Sequence, residues 1–98
     1  MENKKIVTLT ELLIKPEYIP EVLLSAIKTK DLILLEQGTE TFVLSRKRDE
    51  PNTLVIFAVY QSQELYQWHL EQPYVIDFFA FLNGKWTAPP KSTALELF

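Results

Sequence analysis

Residues 54–60 read Leu-Val-Ile-Phe-Ala-Val-Tyr, seven apolar or aromatic side chains in succession. A strand that never alternates with polar residues is covered on both faces, so Thr53 to Tyr60 is expected as a central strand of a sheet. Before it, Thr39 to Arg46 is a second β-rich stretch, joined to the first by a polar turn from Arg46 to Asn52 that contains Pro51. The two form a hairpin. After it, Ser62 is a good helix N-cap and Glu64 lies in the first turn, where a carboxylate complements the positive end of the helix dipole. That helix runs to about Gln72, because Pro73 disfavours helical geometry in the residue before it. Tyr74 to Leu82 then forms a second helical piece, ended by Asn83-Gly84.

Toward the N-terminus, Lys5 to Ile14 places Ile6, Leu12 and Ile14 on one side and Val7, Leu9 and Leu13 on the other, as in a strand covered on both faces. Pro16 stops it. Ile19, Val22, Leu23, Ala26 and Ile27 recur at helical spacing after an early Pro20, so a helix spans roughly 17 to 36. Its last turns, Leu32-Ile33-Leu34-Leu35, are apolar all round and call for a contact beyond their own sheet, such as a partner subunit. Gln37-Gly38 fits a helix stop in which glycine takes the left-handed conformation. At the other end, Lys85 to Lys91 is a proline-containing loop and Thr93 to Phe98 alternates as a last strand.

The order β-α-β-β-α-β predicts an α+β fold, a ferredoxin-like split βαβ sandwich with a four-stranded antiparallel sheet and both helices on one face. Its other face carries apolar side chains that a monomer would leave wet, so a homodimer with sheets packed face to face is expected.

The chain has 98 residues, expected as a single domain over 1–98, with a net charge of −3. That charge argues against nucleic acid, which needs a face rich in Lys and Arg. The one basic run, Arg46-Lys47-Arg48, continues into Asp49-Glu50-Pro51 and reads as a solvated turn. No apolar run approaches the roughly 20 residues of a membrane helix, and the N-terminus has no signal-peptide core, so no membrane partner and a cytoplasmic location are expected. There is no cysteine, hence no thiolate site. The single histidine has only scattered acids near it, Glu64, Glu71 and Asp77, on a helix whose acids face solvent, and no metal site is expected.

His69 is the residue to which chemistry points. Imidazole is the ordinary side chain poised between acid and base at neutral pH, and here it stands beside Tyr66, Trp68 and Tyr74, a setting suited to proton abstraction from an aromatic substrate. Tyr60 and Tyr66 could hydrogen-bond substrate oxygens, and Trp68, Phe57, Phe78 and Phe79 could enclose its rings. The structural alternative is that His69 satisfies its nitrogens on neighbouring groups, and that Phe78, Phe79 and Phe81 with Leu82 are core.

Three pieces carry a resemblance: Val7-Thr8-Leu9-Thr10-Glu11-Leu12-Leu13-Ile14-Lys15-Pro16 as opening strand and turn, Glu36-Gln37-Gly38, and Val59-Tyr60 followed nine residues later by His69. In this order and spacing, over nearly the whole chain, they resemble the antibiotic biosynthesis monooxygenase (ABM) domains of the dimeric α+β barrel superfamily, which tend to have Glu-Pro-Gly at the second piece. The resemblance implies dimers, a pocket in each subunit between helices and sheet, and oxygenation of anthrones or quinols by molecular oxygen with no cofactor. Other members degrade haem, and many have no established activity. Two departures stand out: Ala58 where an acidic residue is frequent, and Tyr74 where a second histidine is common. The haem-degrading branch relies on an Asn in the first strand and a Trp in the third, where this chain has Thr8 or Thr10 and Tyr60, so it is resembled less. The expected function is a cofactor-independent monooxygenase for a small aromatic, quinol- or anthrone-like substrate. The alternatives are a non-enzymatic module holding a small apolar ligand and, further off, a haem-binding or haem-degrading protein.

Overall fold

The computed structural model describes residues 4–98. Strand β1 (Ile6–Leu13) leads through a 3-10 turn (Pro16–Tyr18) into helix α1 (Ile19–Ile33). The hairpin β2 (Thr39–Arg46) and β3 (Thr53–Tyr60) follows, then helices α2 (Gln63–Leu70) and α3 (Pro73–Leu82), and strand β4 (Lys91–Leu95). The strands form one antiparallel sheet in the order β2-β3-β1-β4. This is the ferredoxin-like α+β arrangement expected from the sequence, with β3 inside the sheet.

Register explains which side chains meet the helices. β1 pairs with β3 so that Thr8 stands opposite Ala58, Thr10 opposite Ile56 and Leu12 opposite Leu54. Opposed residues point to the same side, and this side carries the core of Leu12, Ile14, Leu54, Ile56, Ala58 and Tyr60, closed from above by Val22, Ala26, Phe78 and Leu82. Fully burying a Leu or Val side chain stabilises the fold by about 1.5–3 kcal/mol, and Leu12, Leu54, Leu82 and Val22 are the most enclosed. The opposite side holds Leu9, Leu13, Val43, Val55, Phe57 and Leu95, among which Val43 is 49% and Leu95 37% exposed.

Three boundaries differ from the sequence expectation. α1 stops at Ile33, short of 36, because Leu35 N–H and Glu36 N–H turn back to the carbonyls of Leu32 and Ile33, a tightening that ends α-helical spacing. Of its apolar end only Ile33 is buried, while Leu35 is 82% exposed. β4 occupies Lys91–Leu95 and not Thr93 to Phe98, since β1 begins at Ile6 and its pairing with β4 runs from Glu11↔Lys91 to Val7↔Leu95. Gly38 is not left-handed; the one positive-φ residue among those described is Gly84, at φ 84°, after α3. Gly38 is instead a close-approach glycine, because a Cβ there would collide with the side chain of Leu65.

Candidate functional site

Gly38 and its neighbours hold the end of α1 against the start of α2. Gln61 N–H donates to the Gly38 carbonyl at 2.9 Å, and the Ser62 hydroxyl accepts from Leu65 N–H at 3.2 Å, the N-cap that the sequence announces. The turn after α1 is thereby pressed onto α2, and the two functional groups they carry, Glu36 and His69, meet.

His69 Nδ1 lies 2.8 Å and 3.1 Å from the two carboxyl oxygens of Glu36, and its Nε2 lies 3.1 Å from the Tyr60 hydroxyl. The Glu36 side chain is 2% exposed and that of His69 6%. Glu36 also accepts from the Thr39 hydroxyl at 2.9 Å and from the Tyr74 hydroxyl at 2.5 Å. With hydroxyls already donating to both of its oxygens, the carboxylate acts as acceptor toward the ring, which places the proton of a neutral imidazole on Nδ1 and the lone pair on Nε2. A carboxylate behind a histidine fixes the ring's orientation and tautomer and stabilises the imidazolium that forms when Nε2 takes a proton. No buried side-chain nitrogen or oxygen among the described residues lacks a partner.

Burial, chiefly, pushes the Tyr60 hydroxyl well above the ordinary tyrosine value, with nearby Tyr66 and Glu36 adding to it. For Tyr74 the causes are desolvation first and then its hydrogen bond to Glu36. Both tyrosines are therefore neutral donors.

Beside this group opens a cavity of about 240 Å³ between helices and sheet. Tyr60, Tyr66 and His69 line it together with Phe78, Phe79, Ile56 and Phe42, and Thr8, Thr10 and Ser92 contribute hydroxyls. The rings of Tyr60 and Tyr66 lie 4.9 Å apart and those of Tyr60 and His69 4.7 Å. Of the residues anticipated around a substrate, Tyr60, Tyr66, Phe78 and Phe79 thus stand with His69 on one wall system. Phe57 and Trp68 do not: Phe57 points to the opposite side of the sheet, one residue out of phase with Ile56 and Ala58, and Trp68 is 47% exposed on the outer side of α2.

Glu36 was not anticipated as a functional residue. Its signal lay in Glu36-Gln37-Gly38, a piece of the resemblance and, at Gln37-Gly38, a helix stop, whereas the acid is what reaches His69. Tyr74, at the position where the sequence resemblance implies a histidine, donates its hydroxyl to Glu36. Ala58 is fully buried in the core and does not line this cavity; the acid of this site comes from the turn after α1. His69 has both nitrogens engaged, so haem iron could bind it only by displacing Tyr60 or Glu36.

A family model described as antibiotic biosynthesis monooxygenase matches residues 6–80. No curated protein matches the chain. Among solved structures, a protein from Caulobacter crescentus CB15 described as a candidate antibiotic biosynthesis monooxygenase superposes with a TM-score of 0.92 at 16% identity, over 98% of this chain and 92% of that one. Rv0793 from Mycobacterium tuberculosis gives 0.90 at 18%, over 97% and 96%. A candidate monooxygenase from Fusobacterium nucleatum gives 0.90 at 22%, over 98% of this chain but 44% of that one. At such identities the likeness is one of fold, and no helix among the described residues is long and apolar enough to cross a membrane.

Proposed function

The chain belongs to the antibiotic biosynthesis monooxygenase family, and from that premise we propose that it is a cofactor-independent monooxygenase acting on a small aromatic, quinol- or anthrone-like substrate with molecular oxygen, as a cytoplasmic homodimer. The observation that carries this reading is the Glu36-backed imidazole on the wall of an apolar cavity. An aromatic molecule held there loses a proton that ends on His69 Nε2. The resulting anion is electron-rich enough to pass one electron to dioxygen; the substrate radical and superoxide combine at carbon, and the peroxide loses water to leave a carbonyl. One CH₂ or ring C–H with its acidic proton plus O₂ becomes C=O plus H₂O, which balances without another reductant. The protein contributes position, a dry setting and a base, and general-base catalysis is worth about 10²–10⁴ in rate.

The homodimer reading is supported by the side of the sheet turned away from the helices. Leu9, Leu13, Val43, Val55, Phe57 and Leu95 make an apolar face of the kind that marks an interface. Phe57, removed from the cavity, finds its place there. The Fusobacterium protein, more than twice this length, has room for a second such domain to cover that face.

A second reading, a binding module for a small apolar ligand, draws on the same completeness of hydrogen bonding around His69, since a satisfied network also serves stability. The test is oxygen uptake by purified protein with hydroquinones and anthrones, comparing wild type with His69→Ala. Product from wild type and at least a tenfold loss in the variant is the expected outcome. Equal product from both removes His69 from the mechanism, and binding without product across the panel favours the module.

A further inference from the structure

We propose that Tyr60 is the group that first receives the substrate's proton, and that the substrate is accordingly a neutral phenol or quinol that gives up an O–H proton and not a carbon acid. This rests on the monooxygenase reading of the same site. His69 has no nitrogen to offer directly: Nδ1 is held by Glu36 and the lone pair of Nε2 is occupied by the Tyr60 hydroxyl. Tyr60 spends its one O–H on that bond and makes no other hydrogen bond among the described residues, so its oxygen keeps lone pairs for a donor arriving in the cavity that it lines.

The transfer is then a two-proton shift. The substrate O–H breaks and leaves its electron pair on the substrate oxygen; that proton bonds to the Tyr60 oxygen, whose own proton moves to His69 Nε2. Phenolate and imidazolium result, Glu36 faces the imidazolium, and Tyr60 is neutral before and after. Burial disfavours a standing tyrosinate, so the two shifts occur together. A phenol is the matched donor, because its hydroxyl is chemically that of tyrosine and forms the hydrogen bond through which the proton passes, whereas a C–H group donates weakly. The overall step, phenol plus O₂ giving quinone plus water, balances. The cavity lining contains no Lys, Arg, Asp or Glu, so a ligand already charged through a carboxylate or phosphate would shed hydration without meeting a cation.

The decisive probe is 4-nitrophenol, bound under argon, because its absorbance reports its own ionisation and no oxygen chemistry intervenes. In wild type the bound phenol should ionise at lower pH than in free solution, its acid constant raised about tenfold or more. Tyr60→Phe and His69→Gln should each abolish that shift, with folding of both variants checked by melting and by amide NMR spectra. A shift retained in Tyr60→Phe would mean that His69 takes the proton itself, and no shift or no binding in wild type would equally overturn the proposal. With oxygen admitted, Tyr60→Phe should lower kcat about 100-fold and leave KM within a few-fold. Wild type that ionises the phenol yet never consumes oxygen would refute the monooxygenase reading and leave the proton path standing. Wild type that oxygenates anthrones but no phenol would do the reverse.

Discussion

Glu36→Gln tests the central electrostatic claim with the smallest change of shape. The carboxylate takes three donors on two oxygens: Thr39 at 2.9 Å, His69 Nδ1 at 2.8 Å and 3.1 Å, and Tyr74 at 2.5 Å. A glutamine can keep its oxygen toward Thr39 and His69, but its amide nitrogen then faces the Tyr74 hydroxyl, which must turn round to accept. A hydrogen bond to a charged group is worth about 1.5–3 kcal/mol and a neutral one about 0.5–1.5. Loss of the charge should therefore cost about 1 kcal/mol per bond, or about 2–3 kcal/mol in all. For a chain of this size 1 kcal/mol moves Tm by about 4–8 °C, so melting should fall by about 10–20 °C at fixed protein concentration. In catalysis the imidazolium loses its counter-charge, and about 2.7 kcal/mol in the transition state is a 100-fold loss of kcat. KM should change little, because Glu36 does not line the cavity. Nitrogen-15 NMR of the imidazole should show one tautomer, protonated at Nδ1, in wild type and a weaker preference for that tautomer in the variant, whose amide oxygen still accepts but carries no charge. A variant that keeps the single tautomer and melts within about 2 °C of wild type would refute the assignment of Glu36 as the residue that orients His69.

Further outcomes follow from the same geometry. Gly38→Ala should be destabilised by about 1–3 kcal/mol and lose activity, because the added methyl meets Leu65 and pushes α2, with His69, away from Glu36; thermal melts of Gly38→Ala and of Gly38→Ala with Leu65→Ala should show the second change restoring part of the loss. Val43→Asp with Phe57→Asp should turn the proposed dimer into a folded monomer in analytical ultracentrifugation with unchanged far-ultraviolet circular dichroism, whereas an unchanged sedimentation coefficient would refute the sheet-to-sheet interface. In alkali, Tyr60 and Tyr74 have folded-state values raised above the ordinary 10.0, so their contribution to stability is complete below pH 10 and is lost as pH rises through the raised values. Their tyrosinate absorbance should therefore appear together with unfolding, and Tyr60→Phe should remove its share.

How much of this was legible in the sequence depends on the range of the interaction concerned. The uninterrupted apolar run Leu54–Tyr60, the Ser62 cap and the prolines at 16, 20 and 73 are local signals, and each placed its element within a few residues. The end of α1 was misplaced, since Leu32 to Leu35 continue a helical pattern while the chain turns in order to bring Glu36 inward, a choice made by α2 and not by the turn's own residues. Phe57 lies on the side of the sheet away from the cavity for a related reason. In a strand buried on both sides, hydrophobicity does not say which side faces the helices, and only the register with β1 decides it. Glu36 and His69 are 33 residues apart, a separation across which no spacing rule operates.

The replacement at Tyr74 shows what kind of constraint the site imposes. If the family's second histidine were needed as a titrating group, a phenol held above its ordinary range could not stand in for it, and the chain would be inactive whatever His69 does. If the need is for a neutral donor that keeps Glu36 pointed at the ring, a phenol satisfies it at 2.5 Å, and its raised ionisation makes the donor permanent across the neutral range. The two cases separate in Tyr74→Phe and Tyr74→His. Under the donor requirement Phe loses about 1–2 kcal/mol of stability and flattens the tautomer preference of His69, while His, able to donate from one nitrogen, restores both without adding a new ionisation to the pH profile of kcat. A profile that gains a second titration in Tyr74→His, with activity rising above wild type, would mean that the tyrosine had removed a catalytic proton carrier, and the donor account would fail.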